Sequence, residues 1–268
     1  MQLTKHHGLG NDFLVAAGAV ARIDPSVARA LCDRHRGVGA DGLLHLSPGF
    51  DTDLRMVLLN ADGTRAEMSG NGIGCLVQAA VLAGMVEGPT VTVATDAGTR
   101  SVDITAAAEP HTHLVTVDMG AADIADHDEP EWATGDVLRA RRVGVGNPHL
   151  VLHVADPEVL GDHDWIDGIG HRANVATPGG VNVEVIAVGD RDGELQMNVY
   201  ERGVGLTLAC GTGACASAAA ARHWGLAGDN VVVRMPGGPT TIDIAGDEIR
   251  MTTPITFVAS VEVPWLAS

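Results

Sequence analysis

SGNGIGCLVQAAVLA fills residues 69–83, and CGTGACASAAAARHW fills residues 210–224. Each stretch opens with a small nucleophilic side chain followed by Gly-x-Gly, then continues in small and apolar residues. A helix that is apolar on every side belongs in a protein interior, so the pattern predicts two buried helices, over 70–82 and 211–224. They start about 140 residues apart, far beyond the 20–50-residue period of a solenoid. Two related domains are the simpler expectation, at 1–119 and 120–254, with a last strand in 255–268 returning to the first. The boundary is expected near Met119 and Gly120 or in the acidic stretch 123–131.

Around these helices the chain reads mostly as strands. Apolar or alternating runs at 15–19, 54–59, 91–95, 101–105 and 114–118 precede the midpoint. Runs at 143–145, 150–154, 181–188, 195–200, 231–235, 240–244, 249–252 and 257–263 follow it. Asp24, Pro25 and Ser26 start a further helix, expected to reach about residue 35. The fold class is therefore α/β of the α+β kind, with two pseudo-symmetric domains.

Composition narrows the function. The formal net charge is −17, which repels phosphate backbones and argues against a nucleic-acid partner. Aromatic residues make up only 3%, too few for base-stacking platforms. No run approaches the roughly 20 apolar residues of a membrane span. No apolar stretch follows the charged residues of 1–7, so a signal peptide is not expected and a cytoplasmic location is. The cysteines are Cys32, Cys75, Cys210 and Cys215. None lies in a C-x-x-C pair or at zinc-ligand spacing with histidine, and no metal is expected.

The chemistry is expected at the two helix starts. Glycines let a ligand approach the backbone closely, and the free N–H groups of a first helical turn favour an anion. Gly70, Asn71, Gly211 and Thr212 are placed to cradle a carboxylate. The same dipole is expected to lower the pKa of Cys210 and make it a reactive thiol. A tight turn closing each helix over a sheet explains the glycines equally well, and no third glycine completes a dinucleotide fingerprint. Polar residues at other turns weigh against that plainer reading. Asn11, Asn60, Asn147, His149 and Asn182 lie at strand ends, and Glu201 and Arg202 close another strand. Together they could hydrogen-bond a polar, zwitterionic small molecule.

In order along the chain stand HGLGNDF (7–13), GVGADG (37–42), NADG (60–63), GNG (70–72), GNPH (146–149), GVNVEV (180–185), YERG (200–203) and ACGTGA (209–214). This series resembles diaminopimelate epimerase over nearly the whole chain. The resemblance implies two α/β halves, each with strands wrapped on a central helix, facing one active site. It implies inversion of one α-carbon of LL-diaminopimelate to the meso form, with no pyridoxal phosphate, metal or other cofactor. That reaction serves lysine and cell-wall precursor synthesis, and a homodimer is the expected assembly. Carried over position by position, Cys210 is one of two acid–base thiols. Asn11, Asn60, Asn147, Asn182, Glu201 and Arg202 bind substrate, and Gly70, Asn71, Gly211 and Thr212 hold the α-carboxylate. His149 and Glu201 tune the thiols.

Three positions depart from the family pattern: Ser69 replaces the first thiol, Gly74 an arginine and Leu206 a glutamate. Only Ser69 falls at the chemistry. It leaves two alternatives: a proline racemase-like or hydroxyproline epimerase-like enzyme with a Ser/Cys pair, and a homologue that binds diaminopimelate without turning it over. A cyclic imino acid has no second amino-acid head for Arg202 and four asparagines to read.

Overall fold

The structure, a computed structural model, describes residues 1–18, 24–125 and 135–264. The far end of the 15–19 strand and most of the acidic stretch 123–131 lie outside the described residues. The chain divides into two compact units, Met1–Asp118 with Thr252–Ser268, and Met119–Met251.

The first unit contains β1 (Gln2–Gly8), β2 (Asn11–Ala17), α1 (Pro25–Cys32), β3 (Gly42–Pro48), β4 (Leu54–Asn60), β5 (Arg65–Ala66), α2 (Gly70–Leu82), β6 (Thr90–Thr95), β7 (Gly98–Ala106) and most of β8 (Thr112–Ala121). The second contains β9 (Asp123–Ile124), β10 (Val137–Gly144), β11 (Pro148–Val154), α3 (His163–Ala176), β12 (Asn182–Val188), β13 (Glu194–Glu201), β14 (Gly205–Thr207), α4 (Gly211–His223), β15 (Asn230–Met235) and β16 (Gly238–Ala245). A short 3-10 turn, Pro157–Gly161, precedes α3. The last strand, β17 (Glu248–Glu262), begins in the second unit and ends in the first.

In the first unit the ladder runs β17-β1-β2-β3-β4-β6-β7-β8 and returns to β17, a closed ring of eight strands. Closure leaves no bare edge in the ring. Residues 70–80 of α2 are all buried, which is why this helix carries no polar face. In the second unit β10-β11-β12-β13-β15-β16 pair antiparallel, parallel, antiparallel, parallel and antiparallel. The run β1-β2-β3-β4-β6-β7 has the same order of senses. Residues 211–221 of α4 are buried in turn. Two similar halves, each a mostly antiparallel sheet with a buried helix, agree with the two pseudo-symmetric α+β domains expected from the sequence.

Each parallel pair β2–β3 and β11–β12 is bridged by an outer helix. In α1, Ala28, Leu31 and Cys32 pack with Leu14, Leu43 and Leu59. In α3, Ile166, Ile169 and Ala173 pack with Leu152, Val183 and Val185. Helix α3 went unread from the sequence because Gly168, Gly170 and Asn174 weaken its local helix signal. Tertiary packing overrides this, since a Cβ at Gly170 would lie 2.3 Å from the Tyr200 ring. Strands β1 and β3 were also unread. The helix expected to reach residue 35 ends at Cys32 because the chain doubles back, with Val38 and Gly39 donating to the Leu31 carbonyl. The runs at 249–252 and 257–263 form one strand. Pro254, which reads as a break, lies just beyond the last β1 pair, Gly8↔Ile255.

Burial pushes the Cys32 thiol up, helped by the Asp12 and Asp41 carboxylates, from 9.0 to about 12. A group whose pKa rises on folding stabilises the fold below its unfolded value, and that contribution is lost as pH rises through the folded value. A Cys32→Val variant is therefore expected to lose less thermal stability than the native chain between pH 9 and 12. Parallel melts in that range check this; equal losses would show that Cys32 does not ionise in this way.

Candidate functional site

Ser69 and Cys210 occupy the same local structure in the two units. Each is the N-cap of its buried helix with extended backbone, at φ −146° and ψ 123° for Ser69 and φ −132° and ψ 114° for Cys210. Ser69 Oγ accepts the Gly72 N–H at 3.0 Å. Cys210 Sγ accepts the Gly213 N–H at 3.4 Å and lies 3.5 Å from the Thr212 hydroxyl. Serine is a preferred N-cap and cysteine is not, so capping alone explains Ser69 but not Cys210. Asn71 and Thr212 are both buried in the first turns.

The first unit arranges its polar groups around Asn11. Strands β1 and β2 join through Leu9 and Gly10, both at positive φ, 54° and 85°. Leu9 holds this uncommon conformation with its side chain buried. Asn11 Nδ2 donates to Asp41 Oδ2 at 2.9 Å, and Asn11 Oδ1 accepts from Asn71 Nδ2 at 3.3 Å. Asp41 also accepts the Asp12 backbone N–H and the Arg34 guanidinium. Asp12 takes Arg34 and Lys5. Burial alone would raise the Asp12 carboxyl, but hydrogen bonds from Arg34 and Lys5 outweigh it and hold the carboxyl below its ordinary value. A Cβ at Gly8 would lie 2.9 Å from Asn71 Oδ1, so that glycine admits the Asn71 side chain. Asn60 ends β4 exposed, with Nδ2 on the Thr64 hydroxyl. The structure thus joins Asn11 and Asn71 directly. Asp41, which holds Asn11, and Asp12, which shares Arg34 with Asp41, were missed; the GVGADG motif carried the first.

The second unit has a denser set. His149 Nδ1 lies 2.7 Å from Glu184 Oε1 and Nε2 lies 2.8 Å from Asn147 Oδ1. Asn182 Oδ1 accepts the Arg202 backbone N–H at 2.9 Å, and Arg202 Nη1 donates to the Gly179 carbonyl. The Arg202 stem lies across Gly180, where a Cβ would be 2.7 Å away. Glu201 accepts from the Thr207 hydroxyl at 2.6 Å. Glu184 was missed. Its signal was a lone charge inside the apolar run of GVNVEV.

The expected lowering of the Cys210 pKa is overturned. Burial, then the Glu201 and Glu184 carboxylates, push the thiol well above its ordinary range, outweighing the Thr212 and Gly213 hydrogen bonds. A helix terminus contributes only a partial charge, and here it is set against burial and two full carboxylates. Burial and these carboxylates thus disfavour the thiolate of Cys210 in the free protein. Cys75 and Cys215 are pushed up by burial too.

The two units differ in what surrounds the caps. Counting along matched strands, His149 pairs with Asn182 as Phe13 pairs with Gly42, and Glu184 takes the place that Leu44 has. Phe13 reaches toward Gly72 as Glu184 reaches toward Gly213, with distances of 3.5 and 2.5 Å from the Cβ positions. A phenyl ring thus faces the first turn of α2 where a carboxylate faces that of α4. The departures Gly74 and Leu206 have structural accounts. A Cβ at Gly74 would lie 2.9 Å from Ile255, and Leu206 packs on the second unit's core.

The family model described as diaminopimelate epimerase matches residues 3–125 and 141–258. The chain belongs to the diaminopimelate epimerase family. It is 39% identical to the diaminopimelate epimerase of Desulfitobacterium hafniense, covering 96% of each chain. It is 40% identical to that of Desulforudis audaxviator, covering 92% of each. Among solved structures it resembles a phenazine biosynthesis protein of the PhzF family from Bacillus anthracis, with TM-score 0.75 at 15% identity over 98% of both chains. A probable proline racemase from Agrobacterium radiobacter gives TM-score 0.75 at 20% identity, covering 98% of this chain and 92% of that one. At these identities the likeness is one of fold.

Proposed function

We propose that this family member is an epimerase that inverts one α-carbon of LL-2,6-diaminopimelate to the meso form, by acid–base chemistry that needs neither pyridoxal phosphate nor metal. The observation that carries the reading is the matched pair of helix N-caps, Ser69 and Cys210, each above a glycine-lined first turn. A cytoplasmic homodimer acting in lysine and peptidoglycan precursor synthesis fits the same reading.

Inversion takes a proton from one face of a carbon and returns one to the other. In the proposed chemistry Cys210, as thiolate, takes the α-proton, and the electron pair spreads into the α-carboxylate. Backbone N–H groups at Gly70, Asn71, Gly211 and Thr212 stabilise that charge. The Ser69 hydroxyl returns a proton to the other face and is itself reprotonated from water. Glu201 and His149 adjust the proton affinity of Cys210. Because burial, and after it the Glu201 and Glu184 carboxylates, disfavour the Cys210 thiolate, the substrate's ammonium group supplies the positive charge that favours it. Asn11, Asn60, Asn147, Asn182 and Arg202 read the two amino-acid heads.

Arg202 suits the distal carboxylate, since a guanidinium grips a carboxylate with two parallel hydrogen bonds. Arg202→Lys is expected to weaken diaminopimelate binding by about 1–3 kcal/mol. Calorimetric titration checks it, and unchanged affinity would take Arg202 out of the site. The reading as a whole is tested by incubating the protein with LL-diaminopimelate in deuterated water and following inversion and α-deuterium uptake. Tight binding with neither would support the non-catalytic alternative, which the serine at position 69 favours.

A further inference from the structure

Glu184 lies on β12 with its side chain fully enclosed. Oε1 meets His149 Nδ1 at 2.7 Å, and Oε2 has no hydrogen-bond partner among the described residues. Its neighbours on the strand, Val183 and Val185, are core residues. A carboxylate so placed is costly unless a cation faces it, and the group that faces it is His149, itself buried.

While Glu184 is ionised its oxygens only accept, and this contact then needs a proton on His149 Nδ1. His149 Nε2 faces Asn147 Oδ1 at 2.8 Å. An amide oxygen also only accepts, so with Oδ1 turned to the ring this contact needs a second proton, on Nε2. With Oδ1 committed to the ring, the Asn147 NH2 group is left to donate elsewhere. Were the ring neutral, Nε2 would accept, the amide would turn over, and Asn147 would offer its oxygen. The protonation of one buried ring thus decides whether Asn147 reads an anion or a cation.

We propose that Glu184 is a positioning residue: its buried carboxylate keeps His149 protonated on both ring nitrogens, which leaves the Asn147 NH2 to donate to a carboxylate of the ligand. The inference rests on the functional reading only for the identity of that ligand. The helix is built to admit this carboxylate. A Cβ at Gly213 would lie 2.5 Å from Glu184 Oε1, so the third residue of α4 is a glycine for the sake of Glu184. The first unit holds Leu44 and Phe13 in the corresponding places.

The test is direct observation of the histidine ring nitrogens by long-range 15N–1H correlation, with His149 assigned from the signals missing in His149→Gln. At neutral pH the native protein is expected to show His149 with both nitrogens protonated. Glu184→Gln keeps an acceptor of the same shape for Nδ1 but removes the charge, and is expected to leave a single ring proton; Glu184→Asp restores the second. Diaminopimelate affinity is expected to fall about tenfold in Glu184→Gln, the loss of one charge-assisted hydrogen bond. A singly protonated His149 in the native protein overturns the proposal, as does a doubly protonated one in Glu184→Gln. The native spectrum decides even if Glu184→Gln does not fold. A doubly protonated His149 in a protein that binds no diaminopimelate upholds the role of Glu184 and overturns the functional reading instead.

Discussion

A Ser69→Cys variant is expected to invert diaminopimelate at least about tenfold faster than the native chain, on the scale of a well-matched acid or base. A hydroxyl is a far weaker acid than a thiol, and each unit of mismatch corresponds to about 1.4 kcal/mol. Ser69 is also engaged, since its Oγ already accepts the Gly72 N–H. Phe13 faces Gly72 of its helix where Glu184 faces Gly213 of the other, and the carboxylates of Glu201 and Glu184 act on Cys210. Ser69 can donate a proton to a strongly basic carbanion, but a serine alkoxide is costly to form and must be reprotonated before the next turnover. The native protein is therefore expected to exchange the α-hydrogen of one epimer with solvent faster than it inverts that carbon. Proton NMR in deuterated water, beside a chiral assay, measures both rates. Fast inversion in both directions by the native chain, unchanged in Ser69→Cys, would show that another group serves as the second acid.

Cys210→Ala is expected to lose about 10²–10⁴-fold in both exchange and inversion, the contribution of a positioned general base. The loss should come without unfolding, because the cap's hydrogen bond to Gly213 is long and made by sulfur. The raised thiol also sets a pH dependence. Thiolate forms only as pH rises beyond the ordinary thiol range, so alkylation of Cys210 in the free protein should be slow at neutral pH and climb steadily with pH. Removing a neighbouring carboxylate, as in Glu201→Gln, should move that climb to lower pH. Alkylation that is already fast at neutral pH would mean that the helix terminus prevails over burial and both carboxylates.

Much of this was legible in the sequence. The two apolar helices were, since residues 70–80 and 211–221 have no polar face to place in water. Their nucleophilic caps followed from the Gly-x-Gly that begins each helix. The duplication was legible as well, since matched turns carry matched motifs. The partnerships between side chains were not. Glu184 stands 35 residues from His149, and Asp41 stands 30 from Asn11. Each pair meets only because a parallel crossover lays its two strands side by side. Helix α3 was hidden because Gly168, Gly170 and Asn174 weaken its local signal, and Gly170 fits the Tyr200 ring rather than favouring helix. The charge state of Cys210 was hidden for a related reason. Local sequence placed it at a helix terminus, where a thiolate is favoured, but burial and the carboxylates of two neighbouring strands decide it, and a desolvated thiol beside full charges responds to them more than to a partial dipole.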